Sequence, residues 1–345
     1  MHSPGRHHRA PRRAAHPWTR RMRGTGPAYA AVDLGTNNCR MLVARPTPRG
    51  FRVIDSFSRV VRLGEGLTGS GALNDDAIVR TIDALQICAD KMRDKHVRQH
   101  RVVATEACRQ ARNTDAFVAR VAEATGLEPE PISAEEEARL TMEGCAPLLD
   151  GQSPHALLFD IGGGSTELIW VRQSYAEGEP PEYVDSLSLP AGVVGLTETY
   201  GPADLNPEAC HDLIAQMEAS LAPFCERHGI AQEVAKGHVQ MVGTSGTVTT
   251  LGALSLGLAR YDRSRVDGLD IGFDRIAEIS RRLADQDHLD RAATPCIGED
   301  RADLVLAGCA VLGAICHRWP VGKLRVADRG IREGVLMRMM AERRH

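Results

Sequence analysis

At 345 residues, 43% of them hydrophobic, and with a mean hydropathy of −0.24, the chain is an ordinary globular protein with room for about two domains. Its most apolar uncharged stretch, Leu304 to Cys316, is too short to cross a bilayer, and nine cysteines without a CxxC pair or a Cys/His cluster argue against a disulfide framework or a zinc site and for a reducing cytoplasm. The net charge of −3 hides an asymmetry: residues 1–27 hold seven arginines and no acid, so the rest, with 35 basic against 45 acidic residues, carries −10.

The arginine-rich arm lacks the apolar segment of a secretory signal. It reads as a disordered basic tail, or as sequence upstream of a true start at Met22, with a grip on a polyanion or a transit peptide as alternatives. From about residue 29 to 45, two apolar runs flank Asp33-Leu34-Gly35-Thr36-Asn37-Asn38, the pattern of a strand, a tight turn and a second strand. Phe51 to Leu63 reads as a third strand leading into the turn Gly64-Glu65-Gly66. Asp75 to Lys95 places Ile78, Ile82, Leu85 and Met92 on one helical stripe. A short strand, Arg101 to Thr105, precedes a helix from Thr114 to Thr125 that stops at Gly126. Glu128 to Ile132 is a strand, and Ser133 opens another helix. Gly151 to Pro154 is a surface loop, a second hairpin starts at His155, and Tyr183 to Leu189 forms a further strand. Val239 to Thr247 runs from a strand into a glycine and hydroxyl turn, and helices are expected at 207–228, 274–286, 302–317 and 328–343. Strands alternate with helices throughout, so the fold class is α/β.

The second hairpin repeats the first. Leu158-Phe159-Asp160-Ile161-Gly162-Gly163-Gly164-Ser165-Thr166-Glu167 again ends an apolar strand on an aspartate followed by a glycine turn. Two copies imply two similar half-domains facing one phosphate-binding cleft. The glycines fail as a dinucleotide fingerprint, because Glu167 to Val171 after them is strand-like rather than helical. Three glycines with Ser165 and Thr166 also exceed what a plain hairpin needs. A carboxylate at the lip of such a turn repels bare phosphate. Asp33 and Asp160, with Glu167 as a third candidate, are therefore read as ligands of a bridging hard cation, for which Mg2+ is suited; a single such aspartate would be a turn acceptor. Gly35, Thr36, Asn37 and Asn38 in the first turn, and Gly162, Gly163, Gly164 and Ser165 in the second, then cradle phosphate. Gly243, Thr244, Ser245 and Gly246 offer a third cradle at a helix N-terminus, with a simple N-cap as the plainer reading. The four lysines, Lys91, Lys95, Lys236 and Lys323, fall in no GxxxxGK(S/T) sequence, which leaves backbone N–H groups, arginine and metal to hold phosphate.

Ser133-x-x-Glu136 fits a capping box, which gives Glu136 a structural task. Glu137 is left without one and is the candidate general base for an in-line water. Arg109 follows a strand and is placed to pair with phosphate oxygens, although a solvated arginine is the commoner outcome for such a position.

Together these residues resemble the exopolyphosphatase/guanosine pentaphosphate phosphatase family. The matching pieces are AAVDLGTNN (30–38), VVATEACRQARN (102–113), ISAEEEARL (132–140), LLFDIGGGSTELI (157–169), MVGTSGT (241–247) and EDRADLVLAG (299–308). The resemblance implies two actin-like α/β domains, of the class shared with Hsp70 and the sugar kinases, with a cleft between them. Domain I would comprise residues 28–135 plus about 327–345, and domain II residues 136–326. By position, Glu137 is similar to the family's catalytic glutamate, Asp160 and Glu167 to its metal-associated carboxylates, and Arg109 to its phosphate-contacting arginine. The first loop departs from the family's Ser-Asn-Ser ending, with Thr36-Asn37-Asn38 in its place. A C-terminal helical region related to HD domains, carried by long members, is not expected here.

The resemblance implies a magnesium-dependent phosphohydrolase that removes the terminal phosphate of inorganic polyphosphate, and with the same site that of guanosine pentaphosphate. A kinase or ATPase on the same fold, and a non-catalytic sensor of guanosine tetra- or pentaphosphate, are the alternatives. Neither a membrane nor a specific nucleic acid is expected as a partner, and a homodimer is expected on general grounds alone.

Overall fold

The computed structural model describes residues 26–48, 50–174, 179–201 and 207–342; the basic arm lies outside them but for its last two residues. The strands in chain order are β1 (Ala28–Leu34), β2 (Asn38–Thr47), β3 (Gly50–Val60), β4 (Val97–Ala104), β5 (Pro129–Pro131), β6 (His155–Ile161), β7 (Thr166–Arg172), β8 (Glu182–Leu189), β9 (Val239–Thr244), β10 (Asp270–Gly272) and β11 (Lys323–Ala327). They form two mixed sheets, ordered β3-β2-β1-β4-β5 and β10-β11-β9-β6-β7-β8.

Apart from the added β10, the second sheet copies the first. In one, β2 and β3 run antiparallel beside β1, and β4 and β5 parallel to it. In the other, β7 and β8 run antiparallel beside β6, while β9 and β11 lie parallel. The sequence dictates this centre. In β1 (AYAAVDL) every residue but Asp33 is buried, as a parallel strand covered on both faces requires, whereas the edge strand β3 leaves about half its residues exposed.

Helices fill both faces of each sheet. The helix Asp75–Asp94 buries Ile78, Leu85, Cys88 and Met92 against one face of the first sheet, and the helix Ile331–Glu342 buries Val335, Leu336 and Met339 against the other. The second sheet is packed on one side by the helices Pro207–His228, Gly246–Ser255, Phe273–Ala284 and Val305–Arg318. The helix Ala134–Cys145 belongs to both units: its Leu140 enters the first core, and Ala138, Met142 and Cys145 enter the second.

That shared helix crosses Ile331–Glu342 at van der Waals distance. A Cβ on Gly144 would lie 2.0 Å from the Gly330 carbonyl oxygen, and one on Gly334 would lie 2.1 Å from that of Leu140. Only glycine permits this approach. Arg338 closes the crossing by pairing with Glu143 at 2.7 Å and Glu136 at 2.6 Å.

Two local expectations change and one element is added. The strand read to Leu63 ends at Val60, and a helix forms over Val193–Tyr200 without a clear sequence signature. The capping box is half made: Ser133 Oγ accepts from the Glu136 N–H at 3.1 Å, but the Glu136 carboxylate turns to Arg338 because that charge lies within reach.

Candidate active site

The C-terminal ends of β1, β4, β6, β9 and β11 converge on one cleft of about 1370 Å3. Such ends are where ligands bind in open α/β sheets. Asp33 and Asp160 are each the penultimate residue of a central strand, and both line the cleft. The two turns close with the same hydrogen bond: Gly35 N–H donates to the Asn38 carbonyl at 2.9 Å, and Gly162 N–H to that of Ser165 at 2.9 Å. The turns also touch each other. A Cβ on Gly164 would lie 2.5 Å from Thr36 Oγ1, and one on Gly163 3.1 Å from the Asn37 nitrogen.

The third loop enters beside them. Thr244 Oγ1 donates to the Arg329 carbonyl at 2.7 Å, tying the end of β9 to the loop after β11. Ser245 stands at φ +101°, a strained conformation for a side-chain-bearing residue, and its buried Oγ has no partner among the described residues. The helix Gly246–Ser255 starts directly after it, so its first N–H groups face the cleft.

Glu137 lies in the first turn of the shared helix, buried yet lining the cleft. Its Oε2 accepts from Arg109 Nη1 at 2.5 Å, and its other carboxylate oxygen makes no hydrogen bond to the described residues. Arg109 also donates to Glu106 Oε2 at 2.6 and 2.8 Å and to the Ile132 carbonyl at 3.1 Å, and it approaches Glu167 at 4.0 Å. Rather than solvated or turned to the cleft, it is a cation shared among three carboxylates. Glu167 stands opposite Asp160 across the β6–β7 ladder, accepts from Ser188 at 2.9 Å and is buried behind the cleft wall.

These carboxylates resist ionisation. Burial raises Glu137 well above the usual glutamate range, and repulsion from Glu167 adds to this against the pull of Arg109. Asp160 is pushed up to about 7 by burial, then by Glu167 and Asp33. Burial likewise raises Asp33 and Glu167.

Among the described residues the cleft is lined by eight arginines and no lysine. Arg40 lies opposite Asp33 in the β1–β2 register, and Arg332 adjoins both. Burial pulls the Arg40 guanidinium below its ordinary value, aided by the positive charge of Arg332. Sequence reasoning passed over both residues. The signal for Arg40 was present: two positions beyond Asn38, strand alternation returns it to the face that carries the first turn.

Among the described residues no group of three or more His, Cys, Asp or Glu forms a ready-made metal cage. Asp33 and Asp160 nevertheless suit a hard cation, being two half-buried oxygen donors that raise each other's energy when charged and lie beside phosphate-sized turns.

A family model described as the Ppx/GppA phosphatase family matches residues 42–343. The chain belongs to that family. A Ppx/GppA family member from Aquifex aeolicus of known structure is 27% identical and superposes with a TM-score of 0.74 over 92% of this chain and 99% of its own. An exopolyphosphatase from Cytophaga hutchinsonii, at 19% identity and TM-score 0.80 over 91% of this chain and 98% of its own, shares the fold. The two mixed sheets are thus the actin-like α/β units of Ppx/GppA proteins. Among curated relatives, the guanosine-5'-triphosphate,3'-diphosphate pyrophosphatase of Vibrio vulnificus is 30% identical over 323 residues, 93% of this chain and 61% of the relative. That of Photobacterium profundum is 28% identical over 321 residues, 92% of this chain and 60% of the relative. The chain thus spans about three fifths of the length of the curated relatives it matches.

Proposed function

We propose that this Ppx/GppA chain is a cytoplasmic phosphohydrolase that releases the terminal phosphate of a phosphoanhydride, from inorganic polyphosphate and from guanosine pentaphosphate. The observation that carries this is a buried, cleft-lining Glu137 with one carboxylate oxygen that no described residue bonds, in the same cleft as two glycine turns that can surround a phosphate.

The N–H groups at the tips of the two turns, those of Thr36 and Asn37 in the first and of Gly163 and Gly164 in the second, hold the terminal phosphoryl group, with the Thr36 hydroxyl between them. Glu137 orients a water in line with the scissile bond and takes its proton as attack proceeds. Arg109 keeps the Glu137 carboxylate in place and acts on the substrate through it. Arg40 and Arg332 offset the charge that gathers on the transferring group. Asp33 and Asp160 would hold Mg2+, which would supply further charge neutralisation; Glu167, behind Asp160, sets the field in which they ionise.

Phosphate release by the purified full chain with magnesium, offered long-chain polyphosphate and guanosine pentaphosphate in parallel, is the test. Release is expected from at least one, and Glu137→Gln should reduce it by about 10²–10⁴-fold. Undiminished turnover in Glu137→Gln would refute the assigned base. Nucleotide binding without release by the parent protein would make the chain a sensor.

A further inference from the structure

The wall of the cleft formed by the second unit carries a feature that phosphate chemistry leaves unused. Tyr261 is a large aromatic side chain at 36% exposure that lines the cleft. Its hydroxyl donates to Asp328 Oδ2 at 2.7 Å and lies against Thr249, one turn into the helix that follows the third loop. Arg263 braces the same carboxylate: its guanidinium bonds the Asp328 carbonyl, its Nε stands 3.5 Å from Asp328 Oδ2, and it is itself held by Glu333 at 2.7 Å. An aromatic ring, a fixed carboxylate and the first turn of a helix therefore adjoin one another, with Thr249 Oγ1 donating to the Ser245 carbonyl at 2.8 Å as the link between them.

A polyphosphate chain has no use for a ring face and is repelled by a carboxylate. A nucleoside uses both. Bases stack on aromatic rings, and guanine alone among the common bases presents two adjacent donors, N1–H and the 2-amino group, to an acceptor pair such as a carboxylate.

We propose that Tyr261 and Asp328, the latter positioned by Arg263, form a guanine-nucleoside subsite, with the nucleotide's 5′ phosphates running along the third loop toward Glu137. This rests on the cleft being a phosphoanhydride site and specifies which substrate it takes.

The test compares the full chain with Tyr261→Ala, Tyr261→Phe and Asp328→Asn on two substrates, and separately titrates GDP, IDP and ADP binding. Tyr261→Ala is expected to raise KM for guanosine pentaphosphate about tenfold, in line with the loss of one stacking contact. It should leave polyphosphate turnover within about twofold, and Tyr261→Phe, which keeps the ring, should behave like the parent. GDP should bind more tightly than IDP, which lacks the 2-amino group, and Asp328→Asn should erase that preference. Equal losses on both substrates, or indifference of GDP binding to Tyr261→Ala, would overturn the subsite. If the parent protein released phosphate from neither substrate, the hydrolase assignment would fail, while GDP binding would still decide the subsite.

Discussion

At the scale of single residues, the cleft is governed by competition between burial and charge. Glu137 holds its proton more tightly in the folded protein than in the unfolded chain, because burial and Glu167 outweigh Arg109. Between the ordinary glutamate value and the raised one, the native state binds a proton that the unfolded chain has lost. Stability therefore falls as pH rises through that window, while the base becomes competent. Glu137→Gln, inactive, should on this account melt at higher temperature than the parent at pH 8 without divalent cation, by about 2–4 °C for each kcal/mol relieved, and no higher at pH 4. Calorimetry at the two pH values checks this, and an equal shift at both would be inconsistent with a buried carboxylate. Arg109 gives a second residue-level expectation. The sequence places it to pair with phosphate oxygens, yet its guanidinium bonds Glu106, Glu137 and the Ile132 carbonyl. Lysine cannot make that fork of bonds. Arg109→Lys should lower kcat by roughly 10–100-fold with little change in KM, as expected for loss of an interaction that serves only the transition state. A KM effect of the same size would restore the direct phosphate contact.

At the scale of elements, the shared helix Ala134–Cys145 and the helix Ile331–Glu342 matter most, because Glu137 rides on one and Arg332 on the other. Their approach depends on Gly144 and Gly334. Alanine at a helical glycine normally stabilises by about 1 kcal/mol. Here the added methyl would meet a carbonyl oxygen at 2.1 Å in Gly334→Ala, and overpacking costs about 1–3 kcal/mol. The clash should win, so Gly334→Ala is expected to lower the denaturant midpoint, with Gly237→Ala as a contrast. Gly237 stands at φ +72° with open space around it, so any loss there is conformational rather than steric. A stabilised Gly334→Ala variant would show that the helices can move apart at no cost.

For the whole molecule, two units of like topology contribute the two turns that meet over Gly163 and Gly164. A phosphate chain bound between them should hold the units together and stabilise both. With Glu137→Gln to prevent turnover, magnesium and polyphosphate at about 100 times Kd are expected to add about 2.7 kcal/mol to the unfolding free energy. No change in melting would place the ligand elsewhere. A chain whose residues beyond 27 carry −10 repels polyanions at long range, yet its cleft gathers eight arginines. Local focusing must overcome the global field, so kcat/KM for polyphosphate should vary steeply with ionic strength.

The sequence alone determined what depends on local repetition. The paired strand–aspartate–glycine segments implied two like units, because a central parallel strand must be apolar throughout and only a turn of small residues can follow it at a ligand. The capping serine at 133 and the three glutamates after it marked a helix start, since free N–H groups there favour acceptors and negative charge. What the sequence left open depends on neighbours distant along the chain. Whether Arg109 faces phosphate or a carboxylate is decided by Glu137, 28 residues on. Glu136 prefers Arg338 to its own cap because the last helix returns 202 residues later. Arg40, Arg332 and Tyr261 acquire meaning only once five strand ends meet at one cleft. Electrostatic and steric energies depend on distance in space, and only the folded chain sets those distances.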